Sequence, residues 1–148
     1  MDNTEKLKAV DHKKTPLFSF KNKILISRIV DVYDGDTFTA LFEYNGEIMK
    51  YKFRAMGYDC AEMKPKKSDP NRDEEKALAL KAKNRFIELI GGEDTIVKIK
   101  FLNFDKYGRI LSYVYSMNSD VEKDESINSV MIKEGHGKPY EGGTKEEW

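Results

Sequence analysis

The sequence predicts a mainly β domain with helices (α+β), built as a five-stranded barrel with about two helices. Five segments have the alternation or the Ile and Val content of β-strands, whereas two have helical periodicity. Their order along the chain is three strands, a helix, two strands and a helix. We expect residues 1–17 to be a flexible N-terminal arm and residues 18–148 to form a single domain, because the chain is long enough for one core.

The first three strands are predicted to form a meander. Residues 24–32 are rich in Ile and Val, and residues 37–44 alternate between apolar and polar side chains. Asn45 and Gly46 follow, and this pair is a strong hairpin signal because both central residues of a type I′ turn need positive φ. Residues 47–56 then return as the third strand.

A helix, two strands and a second helix complete the predicted domain. Residues 74–90 have helical periodicity and are followed by two glycines. Residues 95–104 and 109–115 are predicted strands, and residues 127–134 are a short predicted helix. A barrel with a helix plugging one end fits this order, and the OB-type barrel is the commonest such solution.

The composition describes a charge-rich chain without net charge. It is 39% hydrophobic and 35% charged, with 26 Lys plus Arg and 26 Asp plus Glu. A nucleic-acid partner would therefore have to be held by a local basic patch. A single cysteine excludes an internal disulfide, and no apolar run approaches the roughly 20 residues of a membrane helix. Without a hydrophobic signal core we expect an intracellular protein, with secretion of a processed form as the open alternative.

Three short motifs carry the candidate chemistry. They are Asp-Gly-Asp-Thr at residues 34–37, Arg-x₄-Asp-Cys-Ala-Glu at residues 54–62 and Asp-Lys-Tyr-Gly-Arg at residues 105–109. The first begins the second predicted strand, the second spans the end of the third, and the third opens the fifth. The predicted meander therefore brings charged side chains to neighbouring strand ends.

Asp36 and Asp59 follow different strands and could meet in the mouth of the barrel. Two carboxylates, joined by a backbone carbonyl and waters, form an oxygen-only site that suits a hard cation, Ca²⁺ or Mg²⁺. One cysteine and two distant histidines cannot form a zinc site. The alternative reading is structural, because Asp34 and Asp36 could simply cap a turn around Gly35.

Two arginines and a glutamate suggest chemistry at phosphorus. Arg54 and Arg109 can each form a bidentate pair with phosphate oxygens, and Glu62 could orient or deprotonate an attacking water. With a cation, this set describes phosphodiester hydrolysis without a covalent intermediate. Arg109 could instead pair with Asp105, and the Arg54 segment could be a structural salt-bridge cluster. Cys60 is disfavoured as a nucleophile because no histidine lies near it in sequence.

The three motifs, in this order and at these distances, resemble the staphylococcal (thermonuclease) family over residues 24–137. That family has an OB-fold barrel with helices and cleaves DNA and RNA using Ca²⁺, leaving 3′-phosphate ends. The resemblance implies an endonuclease that binds one Ca²⁺ ion, with Mg²⁺ less favoured. It also implies DNA and RNA as substrates, and we expect single strands to be preferred. We further expect a monomer without a membrane partner.

The resemblance also assigns roles to individual residues. The implied metal ligands are Asp36, Asp59 and the backbone carbonyl of Cys60. The implied catalytic residues are Arg54, Glu62 and Arg109, with Glu62 as general base or water-positioning group and the arginines as phosphate clamps. The implied substrate contacts are Lys106 and Tyr107, with Tyr140 as a further candidate.

Two departures from the family pattern bear on activity. The family usually has Thr-Pro or Ala-Pro where this chain has Cys60 and Ala61, so we expect Glu62 to be placed less rigidly. Its best-known member is basic, so we expect this neutral chain to bind substrate more weakly and with strong salt dependence. The alternatives to an enzyme are a non-catalytic OB-fold module that binds nucleic acid or protein, and a structural domain of a larger assembly.

Overall fold

The computed structural model of the protein describes residues 2–140 and is organised around a closed five-stranded barrel. In chain order the elements are α1 (Asn3–Ala9), a 3-10 turn (His12–Lys14), β1 (Ile24–Asp34), β2 (Thr37–Tyr44), β3 (Glu47–Ala55), β4 (Gly57–Cys60), α2 (Arg72–Ile90), β5 (Thr95–Phe104), β6 (Ile110–Ser116), α3 (Ile127–Lys133) and β7 (Gly137–Tyr140). The barrel order is β1-β2-β3-β6-β5. The predicted α+β class and OB-type barrel are confirmed.

The meander of β1, β2 and β3 follows the predicted pattern. Asn45 and Gly46 both have positive φ, 52° and 80°, and they join β2 to β3 in a tight hairpin. β3 then pairs in parallel with β6, whereas the other barrel strands pair antiparallel. The register places Arg54 opposite Thr37 on one side and Leu111 on the other. Arg54 therefore lies between two strands at one end of the barrel.

An aromatic core fills the barrel, and α2 closes it. Phe38 stacks on Phe53 with ring centroids 5.2 Å apart, and Phe101 meets Phe53 edge to face at 5.2 Å. Phe86 of α2 stacks on Phe38 at 5.6 Å. Each ring is fully buried, and burying a side chain of this kind stabilises the fold by about 1.5–3 kcal/mol. The helix is thus the predicted plug.

Four elements were not predicted from the sequence, and one of them is the 3-10 turn at His12–Lys14. Asn3–Ala9 forms a helix, capped by the Asp2 side chain, in the segment predicted as a flexible arm. The described chain therefore has three α-helices rather than about two, although no residue of α1 is buried. Gly57–Cys60 and Gly137–Tyr140 pair as a separate two-stranded sheet. The boundary of the domain at residue 18 stays a prediction.

Within residues 2–140, no helix has both the length and the apolar character required to cross a membrane.

A buried asparagine ties α3 to the sheets. Asn128 is 1% exposed, and its Oδ1 accepts a hydrogen bond from the backbone N–H of Val114 at 2.8 Å. Its Nδ2 donates to the carbonyl oxygens of Met56 at 2.8 Å and Ser112 at 3.0 Å. One side chain therefore satisfies three backbone groups at the junction of β6 with the end of β3.

We expect Asn128→Ala to lower the free energy of unfolding by about 2 kcal/mol or more, because it removes the Asn128 partner of the Val114 N–H and of the Met56 carbonyl. The Ser112 carbonyl keeps the hydrogen bond that it accepts from the Met56 N–H at 2.8 Å. Urea denaturation measures the loss. Asn118→Ala is the matched control, since Asn118 is an exposed asparagine in the loop after β6. Equal denaturation midpoints for the two variants would contradict the role assigned to Asn128.

Candidate active site

A cavity of about 650 Å³ brings together the three charged motifs. Its lining includes every predicted site residue whose side chain the structure describes: Asp36, Arg54, Asp59, Cys60, Glu62, Lys106, Tyr107 and Arg109. Tyr140 contributes its backbone to β7, and its side chain lies outside the described part of the chain. The predicted convergence of separate strand ends is therefore present in the fold.

Arg54 lies at the centre of the charged groups. Its Nη2 is 3.1 Å from Oδ1 of Asp59, and its Nη1 is 3.3 Å from Oδ2 of Asp36. Nη1 also donates to the carbonyl oxygens of Ala55 at 3.0 Å and Tyr58 at 3.1 Å. The side chain is only 11% exposed. These contacts fix the guanidinium and hold two carboxylates from different strands beside it.

The start of β2 is bonded directly to β4. Oδ2 of Asp36 accepts the backbone N–H of Cys60 at 2.9 Å, and Oδ1 accepts the hydroxyl of Thr37 at 3.0 Å. The hydroxyl of Tyr58 donates to the carbonyl oxygen of Gly35 at 2.6 Å. A Cβ at Gly35 would lie 2.6 Å from Sγ of Cys60, so only glycine permits this approach. These contacts set the relative position of Asp36 and Cys60.

Negative charge is in excess around Arg54. Burial, and then repulsion from Asp36, raise the pKa of Asp34 to about 7. Asp36 and Asp59 share one guanidinium, and both are buried. Carboxylate oxygens of this kind are the donors that a hard divalent cation prefers. Among the described residues, however, no group of three or more His, Cys, Asp or Glu side chains has a metal-binding arrangement.

The Cys60 thiol is unsuited to nucleophilic attack. It is buried, and burial together with the Asp36 carboxylate raises its pKa far above the usual value for a thiol. The thiol therefore stays protonated. The predicted role of the Cys60 backbone carbonyl as a metal ligand stays a prediction.

Arg109 is held on the other side of the cavity by Asp105. Its Nε donates to Oδ2 of Asp105 at 2.7 Å, and its backbone N–H donates to Oδ1 at 2.9 Å. Burial alone would raise the pKa of Asp105, but these hydrogen bonds outweigh it and hold the pKa below its usual value. The pairing considered from the sequence is thus present, and it orients the guanidinium at the cavity.

Glu62 and the turn before β6 form the exposed rim. Glu62 is exposed, and its backbone N–H donates to Oε1 of Glu75 on α2 at 3.5 Å. Tyr107 is 72% exposed, with Nζ of Lys106 5.2 Å and Cζ of Arg109 5.5 Å from its ring centroid. These exposed groups can meet a ligand that enters the cavity.

Sequence reasoning missed Tyr33 as a residue of the lining. Tyr33 and Lys64 both line the cavity, and Tyr33 is 51% exposed. Tyr33 directly precedes the Asp-Gly-Asp-Thr motif, and a large aromatic side chain before a charged turn was the available signal. Lys64 belongs to the loop of residues 63–72, for which the sequence leaves two readings, a solvent-facing loop and a mobile lid or phosphate-gripping loop beside Glu62.

Comparison with known proteins gives one family match. A model described as Staphylococcal nuclease homologue matches residues 52–147, which is well over half of the chain. The chain belongs to the staphylococcal nuclease family. The matched segment of this nuclease homologue includes Arg54, Asp59, Glu62 and Arg109. Asp36 precedes that segment and joins the site through its contacts with Arg54 and Cys60. No curated protein matches the chain.

Proposed function

We propose that this protein is a Ca²⁺-dependent endonuclease that hydrolyses phosphodiester bonds of DNA and RNA and leaves 3′-phosphate ends. One observation carries the proposal: Asp36 and Asp59 converge on Arg54 in a cavity that Glu62 and Arg109 also line. Family membership supports a nuclease-type fold. Single strands would be preferred, and the protein would act as a monomer.

The two arginines would bind and orient the scissile phosphate. Arg54 is fixed by at least four contacts and Arg109 by Asp105, so both guanidinium groups are preorganised before substrate binds. A single Ca²⁺ ion held by the Asp36 and Asp59 carboxylates and the Cys60 carbonyl would add further charge stabilisation when bound, and Mg²⁺ would be the poorer substitute. Lys106 and Tyr107 would contact the neighbouring phosphate of the strand.

Glu62 would act on the water. Its carboxylate would take a proton from the attacking water while the water oxygen bonds to phosphorus. The bond from phosphorus to the 5′ oxygen would break, and that oxygen would leave as a hydroxyl after taking a proton from solvent. The negative charge that grows on the phosphoryl oxygens would be neutralised by Arg54 and Arg109.

A non-catalytic binding module is the second candidate. It is favoured by the ion pair between Arg109 and Asp105, which engages Nε of an arginine that the enzyme would use on phosphate. In this reading the same cavity would hold a nucleic-acid strand or a protein without cleavage. Digestion assays distinguish the two readings.

We expect Ca²⁺ removal to lower the cleavage of single-stranded DNA by at least about 100-fold, because the cation supplies several kcal/mol of charge stabilisation. Parallel reactions with Ca²⁺, Mg²⁺ and chelator, scored by release of acid-soluble nucleotides, measure the effect. Adding excess Ca²⁺ to the chelated sample is the control and should restore cleavage. A folded protein that binds the DNA but cleaves it under none of these conditions would support the binding module.

A further inference from the structure

An exposed tyrosine on the Asp36 side of the cavity has no role in the mechanism above. Tyr33 lies near the end of β1, is 51% exposed and lines the same cavity as Arg54 and Tyr107. The neighbouring residue Val32 is buried in the core, so the strand directs Tyr33 away from it. An aromatic side chain this exposed beside a charged centre is available to a ligand.

The sheet register separates Tyr33 from Tyr107. Asp34 of β1 pairs with Thr37 of β2, Thr37 pairs with Arg54 of β3, and Arg54 pairs with Leu111 of β6. Four adjacent strands therefore form a row about 14 Å wide, at roughly 4.8 Å per strand. Tyr33 lies at the β1 end of this row, and Tyr107 lies in the turn that precedes β6. Arg54 is between them.

Two lysines also line the cavity. Lys106 follows Asp105 in the turn before β6, and its Nζ is 5.2 Å from the Tyr107 ring centroid. Lys64 is exposed and lines the cavity. It follows β4, whose last residue Cys60 is bonded to Asp36 at the β1 side of the row. The cavity is therefore lined by two exposed tyrosines and two lysines in addition to its carboxylates.

We infer that Tyr33 and Lys64 form a second nucleotide subsite, which takes the nucleotide on the opposite side of the scissile phosphate from the one at Tyr107 and Lys106. Tyr33 stacks on the base of that nucleotide, and Lys64 contacts its phosphate. On the other side, Tyr107, which contacts the phosphate there, also stacks its exposed ring on the base. The inference rests on the proposed function and specifies its substrate. Both bases must be unpaired to stack, so the site takes a single strand that continues in both directions from the cleaved bond.

Binding measurements in chelator test this subsite independently of cleavage. We expect Tyr33→Ala to raise the Kd for a fluorescently labelled oligothymidylate by about 5- to 150-fold, the range for loss of one stacked base. Tyr33→Phe keeps the ring and should bind within about 2-fold of the native protein. Tyr51→Ala is the control, since Tyr51 is 37% exposed on β3 but lies outside the cavity lining. Thermal unfolding confirms that each variant is folded.

A second measurement uses the native protein alone. Oligothymidylates with a single abasic residue at each position in turn should show two separated positions at which base loss weakens binding. In Tyr33→Ala one of these positions should become neutral. A single sensitive position in the native protein, or equal binding by Tyr33→Ala and the native protein, would overturn the subsite.

The outcomes also separate this inference from the proposed nuclease activity. Two sensitive positions without Ca²⁺-dependent cleavage would support the subsite and refute the nuclease. Cleavage with only one sensitive position would refute the subsite and leave the nuclease standing. Native protein that neither binds nor cleaves the oligonucleotides would refute both.

Discussion

Replacing Arg109 with lysine is expected to lower kcat for DNA cleavage by about 1,000-fold or more, the scale at which a transition-state arginine acts in phosphoryl transfer. The planar guanidinium can engage two phosphate oxygens at once, whereas lysine is a single point charge. The contacts with Asp105 fix the Arg109 guanidinium before substrate binds. Because the interaction strengthens as charge grows in the transition state, kcat and kcat/KM should fall together.

Arg28→Lys is the matched control for this experiment. Arg28 forms the same kind of pair, with Nε 2.8 Å and Nη2 2.7 Å from the Asp94 carboxylate, but on the exposed barrel surface. The control should keep full activity, and both variants should unfold near the native midpoint because neither pair is deeply buried. Arg109→Lys with native kcat would contradict the assigned role of Arg109.

Glu62→Gln is expected to lower kcat by about 100- to 10,000-fold, the usual contribution of a general base. Glutamine keeps the size of the side chain but cannot take a proton from water. The hydrogen bond to Glu75 is donated by the backbone N–H of residue 62, so the Glu62→Gln variant can form it too. Steady-state cleavage with Ca²⁺ present gives kcat for each protein.

Glu74→Gln supplies the comparison for Glu62→Gln. Glu74 is an exposed glutamate in the first turn of α2 and lies outside the cavity lining, so its replacement should leave cleavage unchanged. Folded Glu62→Gln and Arg109→Lys proteins that both cleave at the native rate would eliminate the mechanism proposed above.

The barrel was predictable because its strands have one face in the core. Phe38, Ala40 and Phe42 alternate with partly exposed residues, and this period of two is visible in the sequence. The charged convergence was predictable for a related reason, since Asp36 and Arg54 mark the ends of paired strands. Strand order and motif position were therefore sufficient to anticipate which side chains line one cavity.

The elements and contacts that were not predicted depend on interactions that local sequence patterns do not encode. Each of β4 and β7 has four residues, and their pairing joins segments on either side of α2, β5, β6 and α3. α1 has no buried face, so the sequence lacks the amphipathic pattern from which a helix could be predicted. The contacts of Arg54 with Tyr58 and Asp59 depend on the turn of the chain at Gly57, which has a positive φ.

The pairing of β4 with β7 also orders events during synthesis. Asp59 lies on β4 opposite Lys138, whereas the barrel strands are all made by residue 116. β4 therefore has no neighbouring strand until residues 137–140 have been made. The edge that carries Asp59 is thus completed by the last described strand of the chain. Under the proposed activity, a chain that stops before residue 137 would lack the strand that pairs with the Asp59 segment.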